Sequence, residues 1–137
     1  MPIRTARLAD TPSVEFLLRS VPGVWQSSWR NDSVQRALLA SDGLAFVAEE
    51  DGTLIGFACA HDVGFRAYLS ELVVTESHQR QGVGSALLVA VQRAVAERGC
   101  KLLVADIYPP AAPFYHRLNW REPRASLLCR DIVDNAA

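Results

Sequence analysis

The sequence of 137 residues has few cysteines, and none of them stands in a metal-binding pattern. Cys59, Cys100 and Cys129 are odd in number, lie far apart and form no CxxC or CxxH motif. A zinc site is therefore not expected. We interpret all three as small, mostly buried thiols of a protein in a reducing compartment, which favours a cytoplasmic location.

Long apolar runs and an excess of one charge are also missing. No apolar run approaches the roughly 20 residues that a membrane helix needs, and residues 1–4 lack the apolar segment of a signal peptide. The net charge of -1 does not favour a general nucleic-acid or anionic-membrane binder. No dense acidic cluster favours a polycationic ligand. Half of the residues are hydrophobic, and the length favours one domain over residues 1–137.

Hydrophobic periodicity and turn signals predict the element order β-α-α-β-β-β-α-β-α-β. The predicted strands are residues 3–6, 44–49, 54–61, 68–74, 102–107 and one strand or a strand pair in 120–132. The predicted helices are 12–20, 32–40, 82–98 and 111–118, and residues 134–137 are expected to be a frayed tail. Asp51-Gly52 predicts a hairpin, so the three middle strands form an antiparallel meander. The strand–helix–strand unit over 68–107 is expected to be a right-handed parallel crossover.

The most informative segment is the glycine-rich turn between the strand at 68–74 and the long helix that follows. It reads Gln79-Arg80-Gln81-Gly82-Val83-Gly84. Glycines let the backbone turn tightly and approach a ligand closely. The first N–H groups of the helix have no intrahelical partner, and the helix dipole adds positive character there. The turn therefore predicts an anion site suited to a pyrophosphate, with the side chains of residues 79–81 as additional donors.

This turn resembles the signature Gln/Arg-x-x-Gly-x-Gly/Ala of the GNAT superfamily of acetyl-CoA-dependent N-acetyltransferases. Gln79, Gly82 and Gly84 match it. A Rossmann dinucleotide turn fits less well, because Leu87 stands where its third glycine would be. The resemblance covers nearly the whole chain and implies a mixed α/β (α+β) fold of the GNAT type. That fold has a central mixed sheet with an antiparallel meander, one splayed parallel strand pair, and helices on both faces.

The resemblance also implies a site for the cofactor acetyl-CoA. Family members hold pantetheine on the free backbone groups of the strand before the turn, and the turn itself wraps the pyrophosphate. One main-chain N–H, near Leu72, is expected to face the thioester carbonyl. The implied cofactor-binding residues are Leu72, Val73, Val74, Gln79, Arg80, Gln81, Gly82, Val83, Gly84 and Ser85. No metal is implied.

A second match lies downstream, where residues 111–120 resemble the family's Ala-x-x-Phe-Tyr-x-x-x-Gly-Phe. Tyr115 aligns with the tyrosine that protonates the coenzyme A thiolate in many members, and a phenol stays protonated at neutral pH. The alternative is a half-buried tyrosine that only fixes its helix. Many members carry an asparagine seven residues earlier, where this chain has Tyr108. Asn119-Trp120 replaces the usual Gly-Phe.

The general base is assigned to Glu71, because some members place a glutamate in this strand. It would deprotonate the substrate ammonium through water. A solvent-facing or salt-bridged strand residue is an equally good interpretation of this glutamate. Asp106 and His61 are reserve candidates, although His61 is interpreted first as a surface residue at a strand end. His78 and His116 are also interpreted as surface groups.

The resemblance predicts an acyltransferase of the EC 2.3.1 type. It would transfer acetyl to a primary amine of a small molecule or peptide by direct attack in a ternary complex. Trp25 and Trp29 could line the acceptor pocket, or seal the core edge or a dimer contact. The alternative function is a non-catalytic CoA-binding sensor or regulatory module. A homodimer is plausible, because many family members form one.

Overall fold

The structure, a computed structural model, describes residues 2–133 of the chain. The predicted frayed tail at 134–137 therefore lies outside the described residues. The chain divides into two compact units, Met1–Ala105 and Asp106–Ala137. The assignment of one domain to residues 1–137 stays a prediction.

The first unit is a five-stranded sheet in the order β1-β2-β3-β4-β5 with three helices. Its strands are β1 (Ile3–Thr5), β2 (Ala45–Glu50), β3 (Thr53–Asp62), β4 (Ala67–Val74) and β5 (Leu103–Ala105). Its helices are α1 (Thr11–Ser20), α2 (Ser33–Ser41) and α3 (Val83–Glu97). All strand pairs are antiparallel except β4 and β5, which are parallel. The predicted meander and parallel pair are confirmed.

The β2–β3 hairpin turns at the predicted dipeptide. Asp51 and Gly52 both have positive φ, 51° and 78°. Two successive residues in this region match the twist of the flanking strands, which is why Asp-Gly is favoured there.

Helices cover both faces of the sheet, as expected. The core on one face joins α1 and α2 to strand side chains, including Val47, Phe57, Cys59 and Val73. Gly56 precedes Phe57 and faces the opposite side, where a Cβ would lie 2.9 Å from Val83 and Leu87 of α3. A glycine on β3 thus allows the beginning of α3 to pack directly onto the sheet.

The second unit contains helix α4 (Ala112–Arg117). Asn119 has φ of 69° and ends the helical segment in the left-handed conformation, as predicted. The prediction of strands in residues 120–132 is wrong, because the described residues from 120 to 133 form none. The apolar side chains that suggested strands, Leu127, Leu128 and Ile132, are exposed.

The predicted strand at 102–107 is also corrected. β5 has three residues, all half-buried, and Leu102 and Ile107 beside it are exposed. The near-continuous apolar run suggested a strand buried on both faces. In the structure, β5 is instead the short last strand of the sheet order.

The cysteines are free, and they differ in burial more than expected. Cys59 is buried, Cys100 is half-buried and Cys129 is exposed. Among residues 2–133, no group of histidine, cysteine and carboxylate side chains could hold a metal ion. No helix in the same range is long and apolar enough to cross a membrane.

An ion-pair cluster joins β1 to the start of α1. The Arg4 guanidinium donates to both carboxylate oxygens of Asp10, at 2.8 and 2.9 Å, and also contacts Glu49 at 3.2 Å. Asp10 directly precedes α1, but its carboxylate makes no capping hydrogen bond to that helix and accepts from the N–H of Arg7. The hydrogen bond from Arg4 lowers the pKa of Asp10 from 3.8 to about 2, although burial opposes the shift.

The Asp10→Asn variant should lose about 1.5–3 kcal/mol of unfolding free energy at pH 7, the range for a hydrogen bond to a charged group. Because the folded pKa of Asp10 is depressed, the wild-type advantage is fully present above pH 3.8. It should disappear as the pH falls towards 2. Urea unfolding of both proteins between pH 7 and 2 measures this. Asp51→Asn, in the exposed hairpin, is the control, and an equal loss at every pH would contradict the linkage.

Candidate active site

The parallel strands β4 and β5 separate after a short pairing. β5 pairs only with Ala67–Leu69, whereas β4 continues to Val74. Among the described residues, no strand pairs with the β5 side of β4 beyond Leu69. The backbone of Leu72, Val73 and Val74, predicted to hold pantetheine, lies on this segment. An extended ligand with amide groups could add there as a further strand.

A β-bulge interrupts β4 just before these residues. Cys59 pairs with Glu71, whereas Ala60 pairs with Leu69, so Ser70 is the extra residue. Bulges bend a strand and change the direction of its side chains, and they are common beside active sites. No residue pattern predicted this bulge. It lies at the point where β4 leaves β5.

The glycine-rich turn has the backbone that an anion site needs. Arg80 and Gly82 are left-handed, with φ of 65° and 84°. The first helical hydrogen bond runs from Ala86 N–H to the Gly82 carbonyl, so the N–H groups of residues 83–85 lie in the first turn of α3 without an intrahelical partner. The structure therefore places Gly82, Val83, Gly84 and Ser85 where a phosphate group could be bound.

The polar side chains of the turn have different roles from one another. The Gln79 amide donates to the Val74 carbonyl at 3.0 Å, and the Gln81 amide donates to the Ser77 carbonyl at 3.3 Å. Both side chains thus hold the turn to its own backbone. Arg80 is exposed, and no ion pair is found for it within residues 2–133. Its guanidinium is the side-chain cation best placed to meet an anion.

His78 anchors this segment to the end of β2. Its Nε2 contacts a carboxylate oxygen of Glu50, and its Nδ1 lies 3.0 Å from the hydroxyls of both Thr75 and Ser77. The side chain lies beside the turn, as expected, but it is only 26% exposed and has partners on both nitrogens, so it also has a structural role. This contact fixes the approach to the glycine-rich turn.

A polar cluster that the sequence did not reveal lies at the bulge. His61 Nε2 is 2.9 Å from Ser70 Oγ and 3.6 Å from Cys59 Sγ. Glu71 pairs directly with Cys59 across the strands and therefore shares its face of the sheet. His61 is half-buried and hydrogen-bonded, so its interpretation as a surface residue is corrected.

Burial raises the pKa of the Cys59 thiol to about 12, although a hydrogen bond with Ser70 lowers it, and the charge of Glu71 adds a smaller increase. The thiol is therefore protonated at neutral pH. A thiol is a poor nucleophile in that form. The structure thus gives no support to a covalent mechanism at Cys59.

Tyr115 lies in the second unit, on α4. Its ring makes edge-to-face contacts with Phe114 and Trp120, each at 5.2 Å between ring centroids, and it is only 7% exposed. These contacts fix the orientation of the phenol within its unit. Asp106 and Tyr108 are exposed.

The two tryptophans before α2 pack against the core formed by α1, α2 and the sheet. Their rings are 5.1 Å apart in an edge-to-face arrangement, and the Arg19 guanidinium lies 3.8 Å above Trp25. Both rings are half-buried. Sealing the core edge, one of the alternatives, is therefore part of their role.

Comparisons with known proteins agree with this geometry. The family model described as "Acetyltransferase (GNAT) family" matches residues 11–120. A mycothiol acetyltransferase of Kineococcus radiotolerans is 34% identical over 106 residues, which cover 74% of this chain and 35% of that protein. An aminoglycoside N(6')-acetyltransferase type 1 of Salmonella typhimurium is 34% identical over 82 residues, covering 53% of this chain and 57% of that protein. The chain therefore spans about a third and just over half of these two relatives.

Solved structures share the fold. The aminoglycoside N-acetyltransferase AAC(6')-Iy in complex with a bisubstrate analogue superposes with a TM-score of 0.75 at 23% identity, covering 96% of this chain and 98% of that one. A transcriptional regulator from Bacillus halodurans has a TM-score of 0.75 at 19% identity, covering 95% and 99%. The family model matches residues 11–120, and the glycine-rich turn follows a splayed strand. This chain therefore belongs to the GNAT acetyltransferase family.

Proposed function

We propose that the chain is an acetyl-CoA-dependent N-acetyltransferase that acetylates a primary amine by direct attack in a ternary complex. The observation that carries this proposal is the continuity of the free β4 edge with the glycine-rich turn. An extended pantetheine arm and a pyrophosphate are linked in the same molecule, and the two features follow each other along the chain. The relatives named as acetyltransferases support the same reaction.

The donor would be held mainly by backbone groups. Leu72, Val73 and Val74 would pair with the pantetheine amides, and a main-chain N–H near Leu72 would polarise the thioester carbonyl. The N–H groups of residues 82–85 and the Arg80 guanidinium would bind the pyrophosphate. Side chains such as Val73 and Val83 are buried and keep their packing role.

Acetyl transfer also requires proton transfers. We assign Tyr115 as the acid that protonates the coenzyme A thiolate, and Glu71 as the base that deprotonates the substrate ammonium through water. Glu71 lies beside the bulge, and its side chain is half-buried. The acceptor is a small-molecule or peptide amine. The named activities of the relatives favour the former.

Acetyl-CoA should stabilise the chain against thermal unfolding. A ligand at 100 times its Kd adds about 2.7 kcal/mol to the unfolding free energy, which is a readily measured shift. Adenosine diphosphate is the control, because it carries the pyrophosphate without the pantetheine arm and should shift the transition less. Absence of a shift at millimolar acetyl-CoA would overturn the proposal. Binding without transfer to any amine in a broad panel would favour a non-catalytic CoA-binding module.

A further inference from the structure

The cluster at the bulge places a histidine, a hydroxyl and a carboxylate on one face of the sheet. Cys59 belongs to the core beneath α1 and α2, and His61 Nε2 lies 3.6 Å from its sulfur. Glu71 is the cross-strand partner of Cys59, and Ser70 reaches His61 at 2.9 Å. Most of this core is apolar, and a buried polar cluster is costly unless its hydrogen bonds are satisfied. The cluster of Ser70, His61 and Glu71 is therefore a candidate for a functional role.

The ring nitrogen of His61 that faces Ser70 is Nε2, which lies 2.9 Å from Ser70 Oγ. A backbone hydrogen bond also joins the ring to Ala40, in the last turn of α2. A neutral imidazole has one N–H and one nitrogen with a lone pair. A proton relay through Ser70 requires the tautomer in which Nε2 holds the lone pair. In that tautomer, Ser70 donates its hydroxyl hydrogen to Nε2.

Ser70 can keep its hydrogen bonds when His61 gains a proton. Its Oγ also lies 3.2 Å from the Cys59 carbonyl. With Nε2 protonated, the imidazolium donates to Ser70 Oγ, and the serine hydroxyl turns to the carbonyl. The cationic ring would be further stabilised by the carbonyl end of α2, where the helix dipole favours positive charge. Ser70 and His61 can thus stay hydrogen-bonded to each other in both protonation states.

The bulge brings this pair to the place where the reaction would occur. Ser70 is the unpaired residue immediately before Glu71 and Leu72, at the point where β4 loses contact with β5. Ser70 is half-buried. Two residues later, Leu72 has the main-chain N–H proposed to polarise the thioester carbonyl. Without the bulge, Ser70 would alternate to the opposite face from Glu71.

We propose that Ser70 and His61 form a proton relay that accepts the second proton lost by the acceptor nitrogen. This inference rests on the proposed function. An ammonium substrate has three N–H bonds and the amide product has one, so two protons must leave the nitrogen. Glu71 can take the first, through water, before attack. The relay takes the second after attack.

The free amine attacks the thioester carbonyl, and the new C–N bond leaves a positive charge on nitrogen. That nitrogen passes a proton to Ser70 Oγ while the Ser70 hydroxyl proton moves to His61 Nε2. The C–S bond then breaks, and the thiolate takes a proton from Tyr115. The nitrogen has lost two protons and the sulfur has gained one, so one proton is released overall.

The surroundings of His61 suit a proton acceptor at neutral pH. Burial lowers the pKa of His61, although the hydrogen bond to Ala40 opposes the shift, so the ring is neutral at pH 7. The titratable groups around it are Cys59 on β3 and Tyr68 and Glu71 on β4, while α2 contributes its carbonyl end. Because protonation removes the acceptor, kcat should fall as the pH drops through the lowered pKa.

The test combines ring nitrogen NMR with kinetics on the full chain. The spectrum should show His61 Nε2 unprotonated at pH 7, and Ser70→Ala should change its signal. With neamine and an alanine-initiated peptide as acceptor probes, His61→Gln and Ser70→Ala should lower kcat on the order of 10²-fold with little change in acetyl-CoA affinity. Ser70→Thr keeps the hydroxyl and should restore most of kcat. His116→Gln, at an exposed position on α4, and Ser20→Ala are matched controls.

The outcomes separate this relay from the proposed function. Two results would overturn the relay alone. One is an Nε2–H tautomer of His61 at pH 7. The other is a folded His61→Gln protein that keeps the wild-type kcat and the same fall of kcat at low pH. If His61→Gln does not fold, Ser70→Ala and its threonine rescue decide the matter. A wild-type chain that binds acetyl-CoA but transfers acetyl to no amine would overturn the proposed function, and the catalytic role of the relay with it.

Discussion

Replacing Gly84 with valine should raise the Kd for acetyl-CoA at least about 10-fold, which corresponds to roughly 1.4 kcal/mol of lost binding free energy. Gly84 lies in the first turn of α3, whose N–H groups would face the pyrophosphate. Helical side chains tilt towards the helix N-terminus, so the added methyl groups would occupy the space that the phosphate needs. Calorimetric titration with acetyl-CoA measures the effect.

The fold should tolerate this change. Gly84 is helical and does not have positive φ, unlike Gly82 with φ of 84°. A substitution at Gly82 would strain the turn itself and would mix loss of structure with loss of binding. Gly84→Val avoids this ambiguity, because the helix interior accepts valine at least as well as glycine.

The matched control is Gln92→Val, which introduces valine at an exposed position of α3 away from the turn. It should leave the Kd unchanged. An unchanged Kd in Gly84→Val as well would remove the glycine-rich turn from the cofactor site. A lowered melting temperature in Gly84→Val, but not in the control, would show that the turn is structural.

Replacing Tyr115 with phenylalanine should lower kcat on the order of 10²-fold, the lower end of the range for general acid catalysis. Phenylalanine keeps the ring contacts with Phe114 and Trp120, so the unit should fold as before. Only the proton donor for the leaving thiolate is lost. The affinity for acetyl-CoA should change little. Steady-state kinetics with saturating acetyl-CoA measure the change.

Tyr108→Phe is the control for this prediction, because Tyr108 belongs to the same unit but its side chain is 69% exposed. Its kcat should match that of the wild type. Equal kcat values in Tyr115→Phe and the wild type would assign Tyr115 to packing alone. A loss confined to cofactor affinity would instead make it a binding residue.

Local signals were sufficient for most of the first unit. Asp51-Gly52 can adopt the positive φ values that a tight hairpin requires, and this dipeptide predicted the β2–β3 turn correctly. The apolar spacing along α3 and the glycine-rich turn before it are properties of a few neighbouring residues. Such features can be predicted from the sequence because their cause lies within the same short segment.

Predictions failed where an element depends on a distant partner. The apolar residues of 120–132 resemble a strand, yet Leu127 and Leu128 remain exposed and no strand forms in the described part of that segment. A strand needs an edge to pair with, and a local pattern cannot show whether one is free. β5 is likewise shorter than its apolar run, because its pairing with β4 ends at Leu69.

The sequence alone was enough to predict the glycine-rich turn and the meander, and to propose Glu71 and Tyr115 as candidate residues. The bulge of β4 at Ser70 and its contact with His61 became visible only in the folded chain. A bulge is a mismatch of register between two strands, so it is a property of the pair and not of either sequence segment. His61 and Ser70 are nine positions apart, and the register of β3 against β4 brings them together.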